Sequence, residues 1–338
     1  MWYSCRIFRL TLFGTLTIAA SCLACNVPVF RYALDRWPPG EFVLRIPEAV
    51  ASNGDGAACT QALSNRPSLN IHVKVSRGAT ETELFLPDGT TRVWTGRPDK
   101  GLAEAIATSP ARQQIAHHLT SGDSAVWVVL GTADPSADEK AIKILSERLR
   151  YLESVRTLPS PAPATPEDRI GHGPALRNHF SIIRIGPEDP AEILTRAMLQ
   201  VHSEARVGKL TAIPVFGRGR ALGALPADSW TPDTIDAVCS FLLGACSCQA
   251  KELNPGWDLA IDFDWSEALA RADTQRDDEA PQTEASNHRG VPETLVIAGQ
   301  PPSRAANPYS EGVVILLLAV VGSITACIVL DRIRRPGR

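Results

Sequence analysis

The sequence predicts an α/β fold that is exported from the cytoplasm. Strand-like and helix-like segments alternate along the middle of the 338-residue chain, a pattern typical of α/β proteins. Apolar segments at the two ends predict an export signal and a membrane anchor. Because the part between them is longer than one typical domain of about 100–150 residues, we expect two modules, at 25–121 and 122–271.

Residues 1–24 have the form of a secretory signal. Arg6 and Arg9 precede an apolar run that is too short to span a membrane. Small residues favour cleavage before Cys22 or before Cys25. The first position loosely resembles a lipoprotein box, in which Cys22 would be acylated, so both cleavage sites stay open.

The C-terminal end predicts a membrane anchor. Residues 312–330 are uncharged and long enough to cross about 30 Å of hydrocarbon. The stub at 331–338 contains four arginines, which the positive-inside rule keeps in the cytoplasm. Residues 272–311 are polar and interrupted by prolines, so we expect a disordered stalk there. The sequence therefore predicts a single-pass inner-membrane protein with its body outside the cytoplasm.

The second module shows the order β-α-β-α-β-β-α. Apolar runs predict its strands, and apolar residues at three- and four-residue spacing predict its helices. A proline-rich linker at 159–166 interrupts the series. In chain order, we predict a strand at 125–130, a helix at 136–156, a strand at 180–185, a helix at 190–201, a hairpin of 212–216 with 221–225, and a helix from Pro232.

The first module also combines helices, strands and a hairpin. Asn26 is expected to cap a helix that ends before Pro38, and an Asp-Gly turn marks the hairpin. After the first helix we predict strands at 42–46 and 69–75, the hairpin at 84–94, and helices at 102–108 and 109–119.

The element order of 124–245, with Ile213-Pro214 before the hairpin, resembles the thioredoxin fold. In that family a cis-proline faces the active site, and the resemblance gives this role to Pro214. Thioredoxins place a Cys-x-x-Cys pair after the first strand, whereas this chain has Ala133–Asp138 there. The resemblance implies a domain that is redox-inactive at the usual site. Because the first module repeats part of the order, we expect one or two thioredoxin-like modules.

Three further segments look like those of an uncharacterised family of exported, membrane-tethered proteins of planctomycete-type bacteria. This resemblance implies no known activity. The segments are 25–37, 214–222 and 246–251.

Cysteines are the strongest candidates for a reactive or metal-binding site. Cys25 directly precedes a predicted helix, whose dipole favours a thiolate, and forms a Cys-x-x-Cys motif with Cys22. A structural disulfide at Cys25 is the alternative. Cys246 and Cys248 have four open interpretations: a soft-metal ligand pair for Cu(I) or Zn, a strained mutual disulfide, a bridge to a distant cysteine, or free thiols. Cys239 lies on an apolar helix face and is expected to be structural.

Three aspartates alternate with apolar residues over 257–265. A calcium or acid–base site is conceivable there. A solvated edge strand, with Asp258, Asp262 and Asp264 on its polar face, explains the same pattern more simply.

No complete catalytic signature occurs in the chain. Gly-x-Ser-x-Gly and His-Glu-x-x-His are absent, and the neighbours His117 and His118 point apart. We therefore predict no catalytic residue and no required cofactor, and leave metal binding open. A net charge of −3 argues against nucleic acid as a partner.

These observations predict interaction or assembly at the cell envelope, with another envelope protein as partner and the membrane contacted through the C-terminal helix. The first alternative is thiol–disulfide exchange or copper or zinc handling through Cys25, Cys246 and Cys248. A hydrolase whose scattered carboxylates converge ranks last.

Overall fold

Two β-sheets and the helices around them form a mixed α/β fold, as predicted. The predicted signal, anchor and stub lie outside the described residues. Within the described ranges, no helix is long and apolar enough to cross a bilayer. The computed structural model describes residues 27–52, 54–159, 170–202, 208–246 and 250–279.

The first sheet has four strands and is built by the N-terminal half. In chain order, the N-terminal half contains α1 (Val29–Arg36), β1 (Phe42–Pro47), α2 (Glu48–Ala51), α3 (Gly54–Ser64), β2 (Ile71–Ser76), β3 (Thr82–Phe85), β4 (Arg92–Gly96), α4 (Lys100–Ala107) and α5 (Pro110–Thr120). The strand order is β2-β1-β3-β4. β1 pairs in parallel with β2 and antiparallel with β3, which pairs antiparallel with β4.

The second sheet has six strands and follows in the chain. Its elements are β5 (Ala125–Leu130), α6 (Pro135–Val155), β6 (Phe180–Ile185), α7 (Ile193–Gln200), β7 (Thr211–Phe216), β8 (Arg220–Ala221), β9 (Leu225–Pro226), α8 (Pro232–Leu243), β10 (Trp257–Asp258) and α9 (Trp265–Glu279), with short 3-10 helices at Pro190–Glu192, Ala227–Ser229 and Lys251–Leu253. The order is β10-β8-β7-β5-β6, and β9 pairs with β7. β5 and β6 are parallel, whereas β7 is antiparallel to β5 and β8.

The two sheets repeat one strand order. β5, β6, β7 and β8 take the places of β1, β2, β3 and β4, with the same parallel and antiparallel pairings. The connections differ, because α7 lies between β6 and β7 while no helix lies between β2 and β3 in residues 77–81. The described residues all belong to one compact unit.

The core consists of two apolar clusters on opposite faces of β5. Val126 and Val128 belong to the first cluster, which also contains Phe42 and Leu44 of β1. Trp127 points the other way, into the second cluster between the sheet and helices α1, α6 and α8. Every residue of β5 is buried, which confirms the prediction of a strand covered on both faces. The first cluster joins the two sheets.

The predicted strand at 257–265 is mostly wrong. Only Trp257 and Asp258 pair with β8, and α9 begins at Trp265. Asp264 starts this helix, because its Oδ1 accepts a hydrogen bond from Glu267 N at 2.9 Å. The helix continues across the predicted start of the stalk at 272, to Glu279.

The N-terminal helix also begins later than predicted. Pro28 has an extended conformation, with φ −57° and ψ 145°, and α1 starts at Val29. Pro28 instead forms an isolated antiparallel bridge with Ala245. A pairing with a distant segment thus replaces the expected cap.

Candidate functional site

The loop after β5 is the position that the thioredoxin resemblance assigns to an active site. β5 ends at Leu130 and α6 begins at Pro135. Asp134 caps the helix, since its Oδ1 accepts a hydrogen bond from Ala137 N at 3.0 Å. The proline after this cap suits the first helical position, which needs no N–H donor. These local signals start the helix after a connection of four residues, 131–134.

A buried carboxylate closes this loop. Asp138 is 1% exposed. Its two oxygens accept hydrogen bonds from the Thr132 N–H and hydroxyl, both at 2.8 Å. Arg184 of β6 donates to Asp138 Oδ2 from Nη2 at 2.6 Å and from Nε at 3.2 Å. We call this group the Thr132–Asp138–Arg184 clasp.

The clasp keeps Asp138 ionised. Burial alone would raise the pKa of Asp138, but hydrogen bonds from Arg184 and Thr132 outweigh it and lower the pKa. A Cβ at Gly131 would lie 2.7 Å from Arg184 Nη2, so a larger residue there would displace the guanidinium. Both carboxylate oxygens are occupied by donors of the protein. The clasp therefore stabilises the loop, and residues 131–138 contain no cysteine.

The cysteines inside the described helices are deeply buried. Cys59 of α3 and Cys239 of α8 have no exposed surface. Burial raises the pKa of Cys59 to about 11, with a smaller contribution from Asp99. Burial raises the pKa of Cys239 to about 12, with a smaller contribution from Asp236. Both thiols are thus protonated at neutral pH and unsuited to nucleophilic attack.

Cys246 follows α8 and is also buried, with 1% of its surface exposed. Its backbone N–H donates to Val27 O at 2.9 Å. The structure therefore brings the segment preceding Cys248 next to the segment that follows Cys25. Cys25 and Cys248 themselves lie outside the described residues.

Pro214 does not take the predicted role. No peptide bond among the described residues is cis. Pro214 lies inside β7 opposite Trp127, whereas Thr211, at the start of β7, pairs with Leu130 beside the clasp. The proline is thus three residues too far along the strand to face the loop after β5.

Pro214 has a different structural consequence. Its carbonyl accepts a hydrogen bond from Leu222 N at 2.9 Å, but proline has no N–H to return. The predicted second hairpin arm at 221–225 is accordingly split into β8 and β9.

The three aspartates of 257–265 are separated by the fold. Asp258 is 5% exposed, so the expectation of a solvated carboxylate is wrong there. Its Oδ2 accepts hydrogen bonds from Gly40 N at 2.7 Å and Lys251 Nζ at 2.5 Å. Asp262 pairs with Arg66 at 3.0 Å. Within the described part of the chain, no three or more histidine, cysteine, aspartate or glutamate side chains are arranged so that they could hold a metal ion.

A cavity of about 440 Å³ opens beside Asp258. Its size is within the range of small-ligand pockets, about 300–1,000 Å³. Arg220 and Lys251 line it together with Trp257. Arg220 contacts Asp258 Oδ1 at 3.3 Å and donates to Asn254 O at 2.8 Å. These charged groups hold the 250–256 loop against the sheet.

A histidine–aspartate cluster lies at the start of β6 and was not predicted. Asp123 is buried, and its Oδ1 contacts His179 Nδ1 at 2.8 Å. Its Oδ2 contacts His118 Nδ1 at 3.1 Å and accepts a hydrogen bond from the Ser181 hydroxyl at 2.6 Å. The Ser181 hydroxyl also lies 3.1 Å from His118 Nδ1. Because its single proton goes to Asp123, the hydroxyl can only accept a hydrogen bond from this imidazole, so Ser181 is not arranged as an activated nucleophile. His117 does not join this cluster. Its ring packs edge-to-face against Phe263, with the two ring centroids 5.4 Å apart.

Comparison with known proteins adds no relative. No protein-family model matches the chain, and no curated protein shows significant sequence similarity to it.

Proposed function

We propose that the protein is a membrane-anchored interaction module of the cell envelope, built on a redox-inactive thioredoxin-like fold. The observation that carries this proposal is the Thr132–Asp138–Arg184 clasp. It occupies the loop between β5 and α6, the first strand and first helix of the second module, where thioredoxins carry their cysteine pair. Residues 131–138 contain no cysteine, so this loop has no group for dithiol exchange.

The strand order supports a thioredoxin-like assignment for the second sheet. Its central strand β5 pairs in parallel with the second strand and antiparallel with the third, which pairs antiparallel with the fourth. β10 is added beyond the fourth strand, at the edge of the sheet. The first sheet repeats this order without the second helix. We infer two thioredoxin-like modules, of which the first is shortened because it lacks the second helix.

The terminal segments support the location. The export signal predicted at 1–24 and the anchor predicted at 312–330 support a body outside the cytoplasm. Another envelope protein is the proposed partner, and the membrane is contacted through the anchor. The near-neutral net charge of −3 argues against nucleic acid as a partner.

The test is insulin reduction by the full-length protein in detergent. We expect no rate above that of free dithiothreitol. The matched variant Ala133→Cys/Ser136→Cys places a Cys-x-x-Cys motif at the exposed start of α6 and should gain activity. Activity in the wild-type protein would contradict the proposal, and an inactive double variant that folds normally would contradict the assignment of the loop.

A second candidate function is thiol–disulfide exchange or copper or zinc handling through Cys25, Cys246 and Cys248. The hydrogen bond between Cys246 N and Val27 O favours it, because it joins the two cysteine-bearing segments. Stoichiometric metal in the purified protein, lost in Cys246→Ser/Cys248→Ser, would support this candidate over the first.

A further inference from the structure

β6 lies at one edge of the second sheet, where it pairs with β5 and with no other strand of the described residues. Successive residues of a strand direct their backbone N–H and C=O groups to opposite sides. Gly131 N donates to Ile185 O at 2.9 Å, so Ile185 and the residues two and four positions before it face β5. The backbone groups of Ile182 and Arg184 therefore face away from the sheet.

A neighbouring contact agrees with this direction. Phe180 belongs to the same alternate set, and its N–H donates to Glu153 Oε1 of α6 at 2.7 Å. Within the part of the chain that the structure describes, no hydrogen bond to the backbone groups of Ile182 or Arg184 is present. Such outward-facing groups on an edge strand are a template for pairing with another chain.

Two cavities of about 280 Å³ each flank this edge, and Ile182 lines both of them. The first lies against α5 and is also lined by Gln114 and His118. The second lies against α6 and is also lined by Leu149 and Arg150. We call the β6 edge with these two cavities the β6 groove. Because successive side chains of a strand point to opposite faces, a strand added here would place its side chains in the two cavities alternately.

The acidic side chains that line the β6 groove are already bonded within the protein. Glu153 accepts the hydrogen bond from β6, and Asp189 accepts one from Ala191 N at 3.0 Å. Glu192 is 2% exposed and accepts hydrogen bonds from a hydroxyl and a backbone N–H at the start of α5. These carboxylates therefore have partners without a ligand.

One basic side chain of the β6 groove differs from the others. Arg184 is paired within the clasp, and His118 and His179 each contact Asp123. Arg150 is exposed, and its hydrogen bond among the described residues goes to a carbonyl of its own helix at 3.4 Å. Charge complementarity therefore favours a carboxylate as its partner.

We propose that the β6 groove binds an extended acidic segment of a partner protein, which adds a strand to the second sheet. The backbone of this segment bonds to Ile182 and Arg184, and its side chains alternate between the two cavities. The side chains that face α6 carry carboxylates opposite Arg150. This inference rests on the proposed interaction function and specifies the surface that performs it.

The probe for the test is a fluorescently labelled seven-residue peptide that alternates valine with glutamate. Its binding to the full-length protein in detergent is measured by fluorescence anisotropy. We expect saturable binding of this peptide and none of the same peptide with lysine in place of glutamate. Arg150→Gln should weaken the binding because it removes the charge opposite the carboxylates.

Methylated peptides distinguish strand addition from attraction between charges alone. The valine amides of the probe face one edge of an extended strand, and the glutamate amides face the other. N-methylation of one of these two sets should abolish binding, whereas methylation of the other set should preserve it. These peptides test the wild-type protein, so the result does not depend on whether a variant folds.

Proline substitutions give the matched test on the protein. Ile182→Pro removes an outward N–H and retains the bonds to β5, since proline is tolerated on edge strands. The lost hydrogen bond should weaken binding by at least about five-fold. The control is Val73→Pro at an outward position of β2, the strand in the matching place of the first sheet, where Phe42 N donates to Asn70 O. It should leave binding unchanged.

Absence of saturable binding, equal binding of the lysine peptide, or binding that neither methylation blocks would overturn the inference. A dimer of the full-length protein that Ile182→Pro dissociates would also overturn it, because a second copy would then occupy the edge. Inertness in insulin reduction does not involve the β6 groove. Failure of this surface and failure of the proposed redox-inactive module are therefore distinguishable.

Discussion

The two sheets share one strand order but differ in how deeply their central strands are buried. All residues of β5 are buried, whereas buried and partly exposed residues alternate over most of β1. β5 contributes side chains to an apolar cluster on each face. The first sheet lacks the helix that joins the second and third strands. The connecting helices, and not the strand order, therefore decide whether a central strand is covered on one face or on two.

The same contrast holds for an acid–arginine pair beside each central strand. Glu48 directly follows β1 and contacts Arg77 at 3.3 Å, with the two side chains 55% and 89% exposed. Asp138 follows β5 and contacts Arg184 at 2.6 Å, with the two side chains 1% and 30% exposed. Exposed ion pairs contribute little because water and salt screen them. We expect only the buried pair to stabilise the fold appreciably.

The largest expected effect comes from the covered face of β1. Leu44→Ala should lower the free energy of unfolding by about 2–5 kcal/mol, because it leaves a cavity in the core shared by both sheets. Val43→Ala, on the open face of the same strand, should cost less than about 1 kcal/mol. Urea unfolding followed by tryptophan fluorescence measures both.

Neighbouring positions in β5 provide the matched comparison. Val128 and Val129 are fully buried on opposite faces. Val128→Ala and Val129→Ala should therefore destabilise the protein by similar amounts, at least about 1.6 kcal/mol from the lost apolar burial. Equal costs at Val43 and Leu44, or a much smaller cost at one β5 position, would contradict the contrast between the sheets.

The clasp should give the next largest effect. Asp138→Asn leaves buried hydrogen-bonding partners incompletely satisfied, so we expect a loss of about 1–3 kcal/mol at neutral pH. Glu48→Gln is the matched change beside β1 and should alter stability by less than about 0.5 kcal/mol. A similar loss in both variants would show that burial does not separate the two pairs.

The pH dependence of the clasp has a definite sign. Because hydrogen bonds lower the pKa of Asp138 in the folded protein, its ionised form stabilises the fold above the ordinary aspartate value of about 3.9. That contribution is lost as the pH falls through the lower folded pKa. The stability difference between wild type and Asp138→Asn should thus be constant from about pH 5 to 7 and shrink below about pH 4. A difference that grows on acidification would contradict this assignment.

The sequence predicts the elements whose signals are local. A cap followed by proline marks the starts of α6 and α8, at Asp134-Pro135 and Thr231-Pro232. The uninterrupted apolar run of β5 predicts burial on both faces. The sequence also shows that Ala133–Asp138 stands where thioredoxins have the cysteine pair. It does not predict the clasp, because Arg184 is distant in the chain from Thr132 and Asp138.

Contacts between distant segments account for the other differences. The alternation of apolar and acidic residues around Asp258 predicts an exposed carboxylate. The carboxylate is instead buried, and its ion pairs with Arg220 and Lys251 offset the cost of burying the charge. His118 and His179 are distant in the chain, and the fold brings both of them to Asp123. None of these residues carries a spacing motif, so no local signal in the sequence predicts their contacts.

A smaller effect than that of the clasp is expected on the open face of the first sheet. Glu83 contacts Arg45 at 3.3 Å and Arg92 at 2.8 Å, across neighbouring strands. Glu83→Gln should reduce the free energy of unfolding by about 0.2–1 kcal/mol, the range measured for exposed pairs. The loss should shrink further at about 1 M salt, where the Debye length is about 3 Å, whereas the loss from Leu44→Ala should not shrink with it. A salt-independent loss as large as that of Asp138→Asn would mean that a bound segment or partner covers this face, which would remove the distinction between the two sheets.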